Sequence, residues 1–113
     1  MRCAAAGEPV FVKHGSSAFI GTGLEAHLRN IGATRLVIVG AAVNYCVASS
    51  VRMAANLGFD VELPQDAVFG FGVLGPDGVQ HSPEIVLSVT LGTLAEFAVI
   101  GSSDTLSDEF ALN

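Results

Sequence analysis

Two side chains in this sequence have the types and settings for acyl-transfer chemistry, a cysteine at position 46 and a lysine at position 13. Cys46 closes the run Leu36-Val37-Ile38-Val39-Gly40-Ala41-Ala42-Val43-Asn44-Tyr45-Cys46. A branched apolar stretch gives way there to small residues and then to helical periodicity. Gly40, Ala41 and Ala42 let the backbone turn sharply, so the cysteine falls where a strand passes into a helix. Free N–H groups and the positive end of the helix dipole stabilise a thiolate at such a place. The same N–H groups can hold the oxyanion formed when the thiolate attacks a carbonyl. A free cysteine is also a common small core residue, and spacing alone does not separate the two readings. Lys13 ends the apolar run Val10-Phe11-Val12. Taken singly it reads as a solubilising surface lysine. Beside a thiolate it would orient a base or stabilise developing negative charge.

The elements that must position this pair alternate short β-rich runs with helical periodicity, the mark of repeated β–α units around a parallel sheet. Strands are expected over residues 10–12, 36–39, 59–63 and 97–100. The run over 36–39 is the strongest, a continuous branched stretch suited to a central strand covered on both faces. The first helix is expected over 22–31, with Leu24, Leu28 and Ile31 on one face, Thr22 as N-cap and Glu25 completing a capping box. Gly32 ends it. The second runs from Tyr45 or Cys46 to Leu57, with Val47, Val51, Ala54 and Ala55 inward and Gly58 as its cap. Ser82 and Pro83 open a third helix, with Leu87, Leu91, Leu94 and Ala98 inward. A terminal helical turn or two is expected over 103–112. Between Asp66 and His81 the chain is rich in glycine, and a loop of that length is usually functional or mobile. The resulting order, β-α-β-α-β-loop-α-β, is about half of a doubly wound sheet, and ligands in such sheets sit beyond the carboxyl ends of the strands. Lys13, the turn at 40–46 and the loop after Asp66 all lie at that edge.

Composition narrows the functional classes. Of 113 residues, 50% are hydrophobic and 14% charged, which suits a parallel sheet buried on both faces and excludes a disordered tail. So apolar a chain at this length is expected to expose surface that belongs against a partner, and a homo-oligomer follows. The net charge is -6 and the five basic residues are scattered, so no nucleic-acid partner is expected. The segment at 1–7 lacks the apolar core of a signal peptide, and no apolar stretch approaches the roughly 20 residues of a membrane span. Cys3 and Cys46 are therefore expected to be reduced thiols in a soluble, cytoplasmic protein without a membrane partner. His14, His27 and His81 have no ligand spacing, so neither a metal nor another cofactor is expected. Gly21-Thr22-Gly23-Leu24-Glu25-Ala26 fits a dinucleotide fingerprint in letters, but a polar loop precedes it where a strand should. No G-x-S-x-G elbow is present.

The segment Val12-Lys13-His14-Gly15-Ser16-Ser17-Ala18-Phe19-Ile20-Gly21-Thr22-Gly23-Leu24 resembles the Lys…Ser-Ala-Phe…Gly-Thr…Leu segment of the isochorismatase-like cysteine hydrolases. The run from Leu36 to Val47 resembles their strand and nucleophile turn, and Gly58-Phe59-Asp60-Val61 and Asp66-Ala67 follow in place. The similarity extends from about Glu8 to Leu106. It implies a Rossmann-like three-layer α/β/α fold, here a partial doubly wound parallel sheet lacking the N-terminal β-α units. Residues 1–113 would then form one N-terminally truncated hydrolase domain. It implies Cys46 as nucleophile, Lys13 as the triad lysine, a cis peptide between Ala41 and Ala42, and an oxyanion hole from the backbone amides of Ala42 and Cys46. The cysteine points to the amidohydrolase branch, acting on an amide or other C–N bond of a small molecule through a thioester. Phe19, Phe69 and Phe71 would line the substrate pocket, although Phe19 also suits the core.

The resemblance also implies departures. Val43 stands where the family often has threonine, Met53 where it often has aspartate, and Ser50 begins a Ser-x-Arg in place of Thr-x-Arg. The triad aspartate lies on a strand upstream of the lysine in the family. Only 12 residues precede Lys13 here, and Glu8 is the one acid among them. Asp66 corresponds to a family position that is not the base. An alternative therefore stands beside the enzyme, a catalytically inactive member acting as an assembly or interaction module.

Overall fold

A computed structural model describes residues 8–102, and among these described residues three α-helices and a set of parallel strands follow from where the chain can bury apolar side chains. Cys3 and the terminal helix expected over 103–112 lie outside the described residues. Helix α1 (Leu24–Asn30) leads to β1 (Arg35–Val37) and the short strand β2 (Gly40–Ala41). A wide helical turn, Val43–Val47, then runs without a break into α2 (Ala48–Asn56) and on to β3 (Asp60–Pro64). Three two-residue strands follow, β4 (Val68–Phe69), β5 (Val73–Leu74) and β6 (Gln80–His81). Helix α3 (Pro83–Leu94) and β7 (Val99–Gly101) complete the described fold.

The main sheet is parallel, in the order β1-β3-β7. Parallel pairing needs crossovers, and α2 supplies the first while α3 lies within the second. Helix α2 packs on β3 and on α3. The core gathers Val43, Val47, Val51 and Ala54 from the turn and α2, Val61 and Leu63 from β3, and Leu94 from α3. A second parallel pair, β2 with β4, extends the carboxyl edge in the register Gly40 to Val68 and Ala41 to Phe69. Strands β5 and β6 form a small antiparallel hairpin.

The α/β class with parallel strands is the one expected from the sequence, and four local expectations are corrected. Residues 10–12 form no strand: Val10 and Val12 are each 70% exposed, and Phe11 between them packs on the His27 ring of α1, with centroids 5.6 Å apart, instead of into a sheet. The run at 36–39 is not central. Strand β1 ends at Val37 and lies at the side of the described sheet, Val39 is largely exposed, and the better-buried β3 takes the middle. Helix α1 starts two residues later than expected, with Gly23 at its N-cap position and no side-chain cap. The Thr22 hydroxyl donates to the Ala18 carbonyl and accepts from the Leu24 N–H, while Glu25 pairs with Arg29 at 3.4 Å, so the capping box does not form. The glycine-rich stretch is tied down by β4 and by the β5–β6 hairpin. The expected cap at Ser82 is present, its hydroxyl accepting from the Ile85 N–H at 3.2 Å with Pro83 behind it.

Candidate active site

Cys46 sits within the wide turn that heads α2, and its placement starts from Ala42. The peptide between Ala41 and Ala42 is cis, as the family resemblance implies. The Ala42 carbonyl accepts from the Tyr45 N–H at 3.0 Å and from the Val47 N–H at 3.1 Å. That second bond spans five residues, so the turn is one residue wider than an α-helical turn. Val43 and Val47 are buried in the core, which pins both ends of the turn and leaves the half-buried Cys46 facing outward from it.

Lys13 meets it there. Its Nζ donates to Cys46 Sγ at 3.1 Å and to the Gly15 carbonyl at 2.9 Å. The backbone carbonyl fixes the ammonium and the sulfur receives its second N–H. An ammonium held this way pairs with a thiolate by a charge-assisted hydrogen bond. The described residues thus bring together the two side chains that the sequence singles out, across 33 positions of chain.

Lys13 is on no strand, so something else must hold its segment against α2. The Ser16 and Ser49 hydroxyls lie 2.6 Å apart, and the Ala18 N–H donates to Ser50 Oγ at 3.0 Å. Ser17 is buried and accepts from the Phe19 N–H. Sequence reasoning did not find this clasp. Its signal is the pair of Ser-Ser dipeptides, 16–17 and 49–50, which are polar residues on segments otherwise read as loop and helix interior.

A cavity of about 420 Å³ opens beside the pair. Lys13, Cys46, Ser50 and Phe19 line it together with aliphatic side chains such as Leu28 from α1 and Ile38 after β1. No carboxylate belongs to its lining among the described residues. Phe19 faces the cavity and stacks on Phe59, with ring centroids 6.2 Å apart, so it serves core and cavity wall at once. Phe69 and Phe71 stand outside this cavity, 62% and 57% exposed, on the segment that pairs with β2. Glu8 and Asp66 do not line it either. Among the described residues no group of three His, Cys, Asp or Glu side chains could hold a metal ion. The Gly21–Gly23 segment enters α1 from an irregular loop and not from a strand, which removes the structural context of a dinucleotide fingerprint. No described helix is long and apolar enough to cross a membrane.

Comparison with known proteins gives a consistent result. Residues 2–82 match the model of the isochorismatase domain. The chain is 36% identical over 104 residues to YrdC, an isochorismatase family protein of Bacillus subtilis, covering 91% of this chain and 56% of that protein. It is 39% identical over 66 residues to the ureidoacrylate amidohydrolase RutB of Agrobacterium fabrum, covering 58% of this chain and 28% of that one. A crystal structure of an isochorismatase-family protein from Chromobacterium violaceum superposes with a TM-score of 0.88 at 39% identity, over 91% of this chain and 54% of the other. The chain spans about half the length of YrdC and of the Chromobacterium protein.

Proposed function

This chain belongs to the isochorismatase family, and on that premise we propose that it carries the nucleophile part of a cysteine amidohydrolase site, with Cys46 as the attacking thiolate. The observation that carries the proposal is the 3.1 Å contact between Lys13 Nζ and Cys46 Sγ at the head of α2. In this reading the sulfur attacks the carbonyl carbon of a small amide or related C–N compound. The carbonyl electrons move onto oxygen, where the amides of Ala42 and Cys46 receive the charge. Collapse of the tetrahedral adduct breaks the C–N bond, the amine leaves with the proton that the Cys46 thiol gave up, and a thioester remains on Cys46. Water hydrolyses the thioester to the acid and restores the thiol. Lys13 holds the thiolate in place and balances its charge. The amide chemistry is supported by the likeness to RutB, whose name states that it hydrolyses an amide.

The test is to incubate the purified chain with a panel of small amides, ureido and carbamoyl compounds. Released amine and the intact mass are then followed together. Turnover with a Cys46-linked acyl adduct, both lost in Cys46→Ala, is the expected result. A folded chain that releases no amine and forms no adduct with any of them overturns it.

A second reading, an assembly module without turnover, is favoured by the exposure of Val10, Val12 and Val39. These side chains gain by burial against another surface. Light scattering decides it. A monomer that binds no hydrophobic dye excludes the module.

A further inference from the structure

Residues 67–71 follow the nucleophile turn nearly residue for residue. The Gly40 N–H donates to the Ala67 carbonyl at 3.1 Å, Gly40 pairs with Val68, and Ala41 pairs with Phe69. One step on, Gly70 lies so close to the turn that a Cβ there would stand 3.1 Å from Val43 Cγ1 and 3.7 Å from both Asn44 Oδ1 and the Leu87 Cα. A further step on, the Phe71 N–H donates to Asn44 Oδ1 at 3.3 Å. The ladder between β2 and β4 ends at Phe69, so beyond it the side chain of Asn44 takes over the role of a strand partner.

From this geometry we infer that Asn44 is a positioning residue, whose amide oxygen holds the 70–72 segment against the nucleophile turn and thereby fixes Phe69 and Phe71 as a wall on the substrate's approach to Cys46. Val68 is buried and anchors the start of the segment. Phe69 and Phe71, with about three-fifths of their surface exposed, are not needed for the core. Two aromatic residues held at the carboxyl edge of a parallel sheet, next to the turn that carries Cys46 and outside the cavity it lines, suit a small ligand with a flat apolar face. Asn44 lies two positions before Cys46, so one short turn sets both the sulfur and the aromatic segment. The substrate wall rests on the amidohydrolase reading. The hydrogen bond and its positioning effect do not.

The experiment therefore has two arms. In the first, amide hydrogen exchange is compared in wild type, Asn44→Leu and Asn44→Asp. Aspartate keeps an oxygen acceptor and leucine does not. The Phe71 amide should exchange about tenfold faster in Asn44→Leu, the scale of one lost hydrogen bond, and at close to the wild-type rate in Asn44→Asp. Equal Phe71 exchange in wild type and Asn44→Leu overturns the inference. So does acceleration that spreads equally over the amides of α2 and β3, since Asn44 would then act on folding at large. In the second arm, with an amide that the wild type hydrolyses, Asn44→Leu should raise KM by more than it lowers kcat. A loss confined to kcat overturns the substrate wall. If no amide is hydrolysed, the proposed function fails, and the exchange arm alone still decides the positioning role.

Discussion

At the scale of single residues, the pairing of Lys13 with Cys46 has a direct chemical consequence. A charge-assisted hydrogen bond contributes about 1.5–3 kcal/mol, so removing the ammonium should slow attack by the sulfur on the order of tenfold or more. Lys13→Met is therefore expected to slow alkylation of Cys46 by iodoacetamide at neutral pH by that factor. The rate is read by peptide mass with Cys3 as the internal reference. If Cys46 in the wild type reacts no faster than Cys3, the ammonium does not activate the thiol. The pairing was legible in the sequence because each residue follows an apolar run, although the run before Lys13 forms no strand. The serine clasp was not. Hydroxyl pairing between Ser16 and Ser49 depends on a contact across 33 positions, and no local pattern encodes such a contact.

At the scale of elements, α3 and the hairpin before it give opposing predictions for the same change. Gly92 lies within α3 with no atom near enough to meet an added Cβ, and glycine inside a helix costs about 0.5–1 kcal/mol relative to alanine. Gly92→Ala should therefore stabilise the chain by that amount in denaturant titration. At Gly72 a Cβ would stand 2.9 Å from the His81 carbonyl oxygen, which is backbone and cannot swing away. Gly72→Ala should lower the melting temperature, because the β5–β6 hairpin must shift to admit the methyl group. The Ser82 cap is worth about 1 kcal/mol, the usual loss on replacement by alanine, and Ser82→Ala tests it in the same titration. That cap was readable from Ser-Pro-Glu alone. The capping box at Thr22 was equally plausible as letters, yet the Thr22 hydroxyl turns back to the Ala18 carbonyl of the preceding loop. Signals of equal strength as letters part where the hydroxyl bonds to the backbone of its own loop and Glu25 turns to Arg29.

At the scale of the whole molecule, β3 is the keystone, with Val61, Leu63 and Pro64 buried and Glu62 buried in an ion pair with Arg35 at 3.1 Å. Leu63 is fully buried, so Leu63→Ala should cost about 2–5 kcal/mol of stability in urea unfolding. The class of fold was legible because alternating β-rich runs and helical periodicity admit few architectures. The rank of the strands was not. The strongest branched apolar run, at 36–39, reads as central, but centrality depends on how many neighbours pair with a strand, and β3 has β1 on one side and β7 on the other. Beside β1 lies the apolar cavity, with the cysteine and lysine at its rim.

The wide turn between Ala42 and Val47 carries one consequence for sequence change. Each residue of a helix advances the side-chain direction by about 100°, given 3.6 residues per turn. Deleting a single residue between Ala42 and Cys46 would close the five-residue bond into an ordinary α-helical one and rotate the sulfur away from Lys13. The segment is thus more sensitive to indels than to substitutions: Val43, Asn44 and Tyr45 can change identity at graded cost, but their number cannot. The turn at 75–78 between β5 and β6 is under no such constraint, and homologues should vary in length there before they vary at the cysteine.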